Sequence, residues 1–466
     1  MRRVSRVSRT PSTERVLEAA HPLRAVQDRL VTYVLAALVL AALLTIALAT
    51  PALAKRGKGG THGAPPAGAA TAPAAAALTL ASPTPWTFMV YLDGDNDLDP
   101  WGWYTIDLMA QGLAAGGHGN VAIPVLYDHW DALGAEQGIV TAQGYVKLAD
   151  VPEPDMSSGD TLAAFMDWAM KGWPAERYVL DVWDHGSGWQ YLCSDSTTRD
   201  AGAVPPADRM MIDDLARGIR LGEAAAGKPV DMVLFEACNM AMVEISYELR
   251  GLCDVMVGTE LTQDWEGVPW ERTMATLDAT PGMSTMDLGK AMVDDLVWSY
   301  HTQNKDAKAI STLSAIDVSK QGELVAALDG LALSLRSNMK VWQGAVGSAG
   351  SVARNQIWCG GVGGVYWFAD AYKFADEIAK QIDDTRVDYW AGRVMAAVSD
   401  GLYTATSKNL VGKCYGINVA FPPNHSAYDL ASWPIFDYDD CGLDFTADTQ
   451  WDEMLRAYYA PSGKRH

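Results

Sequence analysis

Apolar and polar positions follow one another along this chain in blocks that predict strands alternating with helices. Apolar runs bounded by turn residues are typical of buried strands, and they lie at Trp86–Leu92, Val121–Tyr127, Tyr178–His185, Val230–Cys238 and Asp254–Gly258. Helical spacing of apolar residues lies between them, at Trp103–Ala114, Thr161–Lys171 and Ile212–Ala226, and a further helix is predicted after Cys238. This alternation predicts an α/β fold, with a mostly parallel sheet and helices on both faces.

The last third of the chain is less regular and mainly helical. Helices are predicted at Met286–Tyr300, Gln321–Asn338, Tyr372–Ile382 and Asp388–Asp400, with strands at Leu313–Asp317 and Cys414–Phe421. We therefore predict a core domain over residues 86–310 and a mainly helical C-terminal extension over residues 311–466. We expect the extension to pack on the core rather than to be tethered to it.

The first 85 residues have the pattern of a targeting segment and a linker. A basic tail precedes the uncharged apolar stretch Leu30–Ala49, and Ala52-Leu53-Ala54 has the small-residue pattern of a signal-peptide cleavage site. The stretch is also long enough to span a bilayer, so residues 1–54 predict a signal peptide or an uncleaved anchor. Residues 55–85, rich in Ala, Pro and Gly, predict a flexible linker. We expect an exported protein that is secreted, periplasmic or at the cell surface, and membrane-anchored if the segment is retained.

Charge divides the chain at the end of the linker. Residues 1–85 carry a net charge of +7, and the remaining residues carry −28. An acidic body argues against nucleic acid as a partner, because that partner needs a basic footprint. It would attract cationic substrates, although an acidic, solvated surface without bearing on substrate choice explains the same balance. The six cysteines are too sparse for a disulfide scaffold.

Two of the predicted strands end at residues capable of chemistry, His185 and Cys238. The carboxyl ends of parallel strands meet at one edge of a sheet, where catalytic groups commonly lie. A histidine there can act as the base for a cysteine thiolate. Gly186, directly after the histidine, permits a sharp turn and leaves backbone N–H groups for an oxyanion hole. The pattern predicts a cysteine peptidase.

The same residues are also compatible with purely structural roles. A lone Cys after an apolar strand is usually a small buried side chain, and a lone His is usually a hydrogen-bonded structural residue. Ser187, between two glycines, is a candidate serine nucleophile, but it lacks the five-residue pattern of a nucleophile elbow. A His and a Cys that each close a buried strand, in this order, favour the cysteine peptidase.

Longer stretches around these residues resemble the clostripain family of cysteine peptidases. The similarity covers nearly all of residues 86–466 and is carried by Phe88–Leu98, Val182–Trp189, Glu236–Glu244, Leu313–Asp317 and Thr449–Glu453. It implies a caspase-like fold with His185 as the general base and Cys238 as the nucleophile. It also implies an endopeptidase that cleaves after Arg or Lys. Caspases share the order of a His followed about 50 residues later by the Cys.

The residue two positions before Cys238 departs from the family pattern. The family usually has Asp there, lining the pocket for the basic side chain, whereas this chain has Glu236. Glu keeps the charge and can pair with a guanidinium, but it reaches one methylene further, which leaves the Arg or Lys preference less secure. Glu260 and Asp264 are candidates for a second pocket carboxylate, with a solvated acidic loop as the alternative. Asn239 is also unusual at its position, and the sequence supplies no physical reason for it.

Family members are often activated by cleavage in the loop after the catalytic His. Here that loop, Gln190–Met211, is polar, contains Pro205-Pro206 and offers Arg199 and Arg209, which suits a proteolytic target. We predict self-cleavage at Arg199; a dispensable loop arginine is the alternative.

The acidic turn after the first strand raises the question of a metal ion, because clostripain is associated with Ca²⁺. Asp93, Asp95 and Asp97 alternate as ligands can, but the Gly and Glu of an EF-hand loop are missing. An acidic cap at a helix start explains the turn as well. The Cys–His chemistry requires no cofactor, and no zinc-type spacing of Cys and His is present.

The sequence is therefore compatible with two functions of different classes. The first is an exported endopeptidase that acts on proteins or peptides with basic residues and meets a membrane only through its N-terminal segment. The second is a catalytically inactive peptidase fold that serves as a surface or binding protein. The anchor-like segment, the linker and the altered context of Glu236 and Asn239 motivate the second function. The intact His185 and Cys238 favour the first.

Overall fold

The computed structural model describes residues 83–130, 134–196, 209–263, 266–302, 312–354, 367–406, 414–428, 438–439 and 441–460. The predicted signal or anchor segment, most of the linker, Asp264 and Arg199 lie outside these residues. Among the helices that are described, none is both long enough and apolar enough to cross a membrane.

Long apolar runs form the strands at the centre of the molecule. In chain order the strands are β1 (Thr84–Gly94), β2 (Val121–His129), β3 (Ala135–Thr141), β4 (Gly144–Val151), β5 (Ala175–Trp183), β6 (Leu192–Ser194), β7 (Arg209–Met210), β8 (Met232–Glu236), β9 (Val255–Gly258), β10 (Thr312–Asp317), β11 (Phe368–Asp370), β12 (Leu402–Thr406) and β13 (Asn418–Ala420). Nine of them form one sheet in the order β12-β10-β9-β8-β5-β1-β2-β3-β4.

The sheet is parallel at its centre and antiparallel at both edges. Strands β9, β8, β5, β1 and β2 pair in parallel. At one edge β10 pairs antiparallel with β9 and with β12, and at the other β3 pairs antiparallel with β2 and with β4. The predicted α/β, caspase-like fold is confirmed.

Helices cover both faces of the sheet. In chain order they are α1 (Asp99–Gly116), α2 (Gly159–Gly172), α3 (Ile212–Ala226), α4 (Val243–Glu248), α5 (Trp270–Ala279), α6 (Thr285–Thr302), α7 (Gln321–Ser337), α8 (Met339–Ala353), α9 (Ala371–Gln381), α10 (Thr385–Gly401), α11 (His425–Tyr428), α12 (Asp444–Asp448) and α13 (Trp451–Tyr459). Successive residues of β1 alternate between two apolar cores, as side chains of a strand do. Met89 and Tyr91 join the core that includes α2, α3 and α7, whereas Phe88, Val90 and Leu92 join the core of α1, α5 and α6.

Local signals fix several helix ends. The Ser158 side chain accepts a hydrogen bond from the backbone N–H of Asp160 at the start of α2, and the Asp384 side chain caps α10 in the same way. Gly117 and Gly227 end α1 and α3 in the left-handed conformation, which glycine adopts without steric cost.

Residues beyond 310 contribute to the sheet as well as to the helices. Strands β10 and β12 belong to the main sheet, and β11 and β13 form a second, two-stranded sheet. The Asn418 N–H donates to the Ala241 carbonyl at 2.8 Å, and the Phe368 ring lies 2.8 Å from where a Cβ on Gly188 would be. The C-terminal part of the chain therefore packs against the loops that follow β5 and β8.

Candidate active site

Adjacent parallel strands carry His185 and Cys238 to the same edge of the sheet. Trp183 of β5 is in register with Glu236 of β8, and the Asp184 N–H extends this pairing by donating to the Glu236 carbonyl at 3.3 Å. His185 and Cys238 are each the second residue beyond the registered pair. The structure thus places both where the strand pattern predicts, and their catalytic roles stay a prediction.

Gly186 fits closely against the turn that carries Cys238. A Cβ added to Gly186 would lie 2.8 Å from the Cys238 carbonyl oxygen and 3.0 Å from the Ala237 Cβ. Gly186 forms an isolated bridge with Leu192, whose two hydrogen bonds use the N–H groups of Ser187 and Cys193. Neither bond uses the Gly186 N–H, and an N–H that donates to an oxyanion must not already be engaged in such a bond.

The His185 ring has a carboxylate partner from another loop. Its Nε2 lies 3.0 Å from Oδ1 of Asp97, in the turn between β1 and α1. One residue earlier in each loop, the Asn96 Nδ2 donates to Oδ1 of Asp184 at 2.8 Å. Burial raises the pKa of Asp184 to about 6, against the lowering effects of the His185 charge and of the hydrogen bonds that Asp184 accepts, including one from the Ser194 N–H.

The turn after Cys238 uses a backbone conformation that is rare for residues other than glycine. Cys238 is half-buried, and Asn239 has a φ of 63°. The Asn239 N–H donates to the Leu261 carbonyl at 2.8 Å. Asn tolerates the left-handed region better than other side chains, which accounts physically for its presence here.

Glu236 is held by hydrogen bonds and is only 5% exposed. Its Oε1 accepts from the Trp270 indole Nε1 at 2.8 Å, and its Oε2 accepts from the Val268 N–H at 3.2 Å. Gln263 Nε2 lies 3.5 Å from Oε2. Burial raises the pKa of Glu236 to about 7, against the lowering effect of these hydrogen bonds.

A second carboxyl group lies behind Glu236. Asp181, on the neighbouring strand β5, is fully buried, and neither of its side-chain oxygens has a hydrogen-bond partner within the described residues. Burial and the Glu236 charge raise the pKa of Asp181. Asp181 interrupts an otherwise apolar strand, and that interruption is the sequence signal by which it could be found.

The two candidates for a second pocket carboxylate have different outcomes. Asp264 lies outside the described residues. Glu260 is 1% exposed, so the alternative of a solvated acidic loop is wrong for this residue. Its Oε2 accepts from the Gly416 N–H at 2.8 Å, and burial followed by the charge of Asp370 raises its pKa. Its carboxyl group is therefore directed towards the C-terminal part of the chain, and its pocket role stays a prediction.

Asp93, Asp95 and Asp97, the candidate calcium ligands in the sequence, do not share one site. Asp97 contacts His185, whereas Asp93 and Asp95 are fully buried. Two groups of described side chains have ligand atoms within 4.8 Å of one another, namely Asp93 with Asp184 and Cys193, and Asp95 with Glu153 and Asp195.

Asp128 is a further buried acid beside these groups. It pairs with Asp93 across β1 and β2, and neither of its carboxylate oxygens has a hydrogen-bond partner within the described part of the chain. Burial raises the pKa of Asp128 to about 8, and the charges of Glu153, Asp195 and Asp95 add to the rise. Buried carboxylate oxygens without donors suit a hard cation such as Ca²⁺.

Comparisons with known proteins agree with the fold. A model of the clostripain family matches residues 90–457, and no curated protein sequence matches the chain. A crystal structure described as an inactive zymogen C11 protease from Parabacteroides distasonis is 20% identical, with a TM-score of 0.59, and the match covers 79% of this chain and 99% of that one. A secreted C11 cysteine protease from Bacteroides thetaiotaomicron, in complex with an irreversible peptide inhibitor, is 16% identical, with a TM-score of 0.56 and the same coverage.

Proposed function

Because this chain belongs to the clostripain family and is a cysteine-type endopeptidase with protein or peptide substrates, we propose that it cleaves after Arg or Lys with His185 and Cys238. The observation that carries the residue assignment is the β5–β8 register, which ends both strands at one edge. The close fit of Gly186 against the Cys238 carbonyl supports it.

The proposed chemistry is acyl transfer through a thioester. The His185 imidazole takes the proton of the Cys238 thiol, and the thiolate attacks the carbonyl carbon of the scissile bond. The Gly186 N–H donates to the oxyanion that forms. The C–N bond then breaks as the imidazolium gives its proton to the leaving amine. Water, deprotonated by His185, hydrolyses the thioester and releases the acid.

The basic-residue preference rests on charge near the nucleophile. Glu236 ends the strand that carries Cys238, and residues 86–466 are strongly acidic. An ionised carboxylate there would pair with a guanidinium or an ammonium group. Because burial raises the pKa of Glu236 to about 7, the preference should strengthen as the pH rises above neutrality.

Reporter peptides test the function and its specificity together. The full chain is assayed under reducing conditions with peptides that end in Arg, Lys or Asp before the reporter, and again as Cys238→Ala. Cys441→Ala is the matched control, because Cys441 is also half-buried and burial raises its pKa to about 11. We expect turnover after Arg or Lys in the wild type and the control, and none in Cys238→Ala. Turnover only after Asp would overturn the preference, turnover that persists in Cys238→Ala would overturn the residue assignment, and no turnover in the wild type would overturn the proposed function.

Self-processing at Arg199 is part of the proposal. One similar structure is described as an inactive zymogen, which supports a precursor that needs cleavage. Intact mass of wild type, Cys238→Ala and Arg199→Ala should show two fragments for the wild type alone. Fragments in Cys238→Ala would mean that another peptidase cuts the chain.

Export is also part of the proposal, and it rests on the N-terminal pattern and on a similar structure described as secreted. N-terminal sequencing of the protein from culture fractions checks it. A chain that starts after Ala54 supports a cleaved signal, and a membrane-bound chain that retains residues 1–54 supports the anchor.

Calcium binding is proposed for acids beside the active site: Asp95, Glu153 and Asp195, whose ligand atoms lie within 4.8 Å of one another, would hold the ion together with Asp128, whose pKa their charges raise. The carboxylate oxygens of Asp128 support this set. A bound Ca²⁺ would neutralise acids packed behind β1 and β2 and so stabilise the loops at that edge.

A further inference from the structure

We propose that Asp97 is a positioning residue for the peptidase reaction, orienting the His185 imidazole and stabilising the imidazolium that forms during catalysis. The inference rests on the proposed role of His185 as the general base. Neither the strand pattern nor the spacing of residues assigns Asp97 this role.

The contact with Asp97 determines which nitrogen of the His185 ring carries the hydrogen and which one can accept a proton. Asp97 Oδ1 lies 3.0 Å from the His185 Nε2, and a carboxylate can only accept a hydrogen bond. Nε2 therefore carries the hydrogen, and Nδ1 is the nitrogen left to take the thiol proton. A carboxylate at this place selects the tautomer of the imidazole.

The exposure of the His185 and Asp97 side chains by itself predicts a weak interaction at the surface. The His185 and Asp97 side chains are 40% and 63% exposed, and isolated exposed pairs contribute little because water screens them and ordering two side chains costs entropy. The contact therefore matters only if the fold already holds the two groups together.

A buried hydrogen bond one residue earlier provides that restraint. Asn96 and Asp184 are 6% and 3% exposed, and the Asn96 Nδ2 donates to Asp184 Oδ1 at 2.8 Å. Since Asn96 precedes Asp97 and Asp184 precedes His185, this bond ties the two loops together directly beneath the exposed pair.

Further bonds hold Asn96 itself in place. Its Nδ2 also donates to the Ser194 carbonyl at 3.2 Å, and its Oδ1 accepts from the Leu98 N–H at 2.9 Å. Asp97 is thus flanked by two fixed residues, and little backbone freedom is left to lose when its carboxylate meets the imidazole.

The test compares kcat and KM for Asp97→Ala, Asp97→Asn and Asp97→Glu with the wild type. Asp99→Asn is the matched control, because Asp99 begins the helix that directly follows the turn of Asp97 and lies 3.2 Å from a different histidine, His129 Nδ1. We expect kcat of Asp97→Ala to fall about 10- to 100-fold at nearly constant KM. Asp97→Asn, which can still accept from Nε2 but has no charge, should lose less, and Asp97→Glu should recover part of the rate.

The alkylation rate of Cys238 by iodoacetamide supplies a readout without substrate. It should fall with kcat in Asp97→Ala, because a less stable imidazolium supports less thiolate, while the melting temperature stays close to that of the wild type. An unchanged kcat in Asp97→Ala would overturn the proposal, and so would equal losses in Asp97→Ala and Asp99→Asn, which would indicate a general loop defect. A wild type without turnover after any residue would instead overturn the proposed function on which this one rests.

Discussion

The Trp270 indole donates a 2.8 Å hydrogen bond to the buried carboxylate of Glu236, two residues before the proposed nucleophile. With the Val268 N–H on the other oxygen, this bond fastens the start of α5 to the end of β8. Glu236 therefore has a structural role whether or not it also meets substrate.

Trp270→Phe should destabilise the fold by about 1–3 kcal/mol, because a smaller aromatic ring replaces the buried indole and a buried carboxylate oxygen loses its donor. Urea unfolding measures the change. Trp298→Phe is the control, since Trp298 is 38% exposed and its loss should matter little. A change under about 0.5 kcal/mol in Trp270→Phe would show that water replaces the indole.

Glu236 should make stability fall as the pH rises from about 4.5 to about 7. Its ordinary pKa is 4.5, and burial raises the folded value to about 7. The folded state therefore retains a proton that the unfolded state has lost within this window, and the free energy of unfolding decreases with increasing pH. Urea unfolding at pH 5 and pH 8 should show a smaller difference for Glu236→Gln than for the wild type. Exposed Glu176→Gln should keep the wild-type difference.

Asn239→Gly should retain wild-type kcat/KM within about twofold, whereas Asn239→Val should lose about tenfold or more. Glycine adopts the φ of 63° freely, and a β-branched residue is strained there. Steady-state kinetics and Cys238 alkylation measure the effect. Full activity in Asn239→Val would mean that the turn does not position the nucleophile.

Gly186→Ala should lower kcat by at least about tenfold. The added Cβ would meet the Cys238 carbonyl oxygen at 2.8 Å, so the backbone that offers the oxyanion donor must move. Gly282→Ala is the control, because a Cβ there meets no atom within 4 Å. Equal kcat values in both variants would show that Gly186 does not contribute to the oxyanion hole.

Calcium should raise the melting temperature of the wild type, and a chelator should reverse the rise, because an ion that binds only the folded state stabilises it. Asp128→Asn should abolish the shift, and it should stabilise the calcium-free protein by removing a buried acid. The exposed Asp150→Asn, with Mg²⁺ as a second comparison, serves as the control. A shift that persists in Asp128→Asn would place the ion elsewhere.

Some elements could not be predicted from the pattern because their burial is uneven. Strand β4 has no fully buried residue, so the β3–β4 edge lacks the apolar run that marks the central strands. Helix α5 is not among the predicted helices, although its buried residues Trp270, Met274 and Leu277 have the spacing of one helical face. The strand predicted at Cys414–Phe421 is confined to Asn418–Ala420, because only that part pairs with β11.

The sequence by itself determined the parallel centre of the sheet and the positions of His185 and Cys238 at the ends of two strands. Local periodicity and apolar runs carry that information, since a strand buried on both faces must be apolar throughout. Only the tertiary structure decided the partners of the acids: Asp97 with His185, Asp181 behind Glu236, and Asp128 beside Asp93. These contacts join residues far apart in the chain. An acidic residue in the sequence carries no local signal of which side chains the fold will bring next to it, and it is those neighbours that change its charge state.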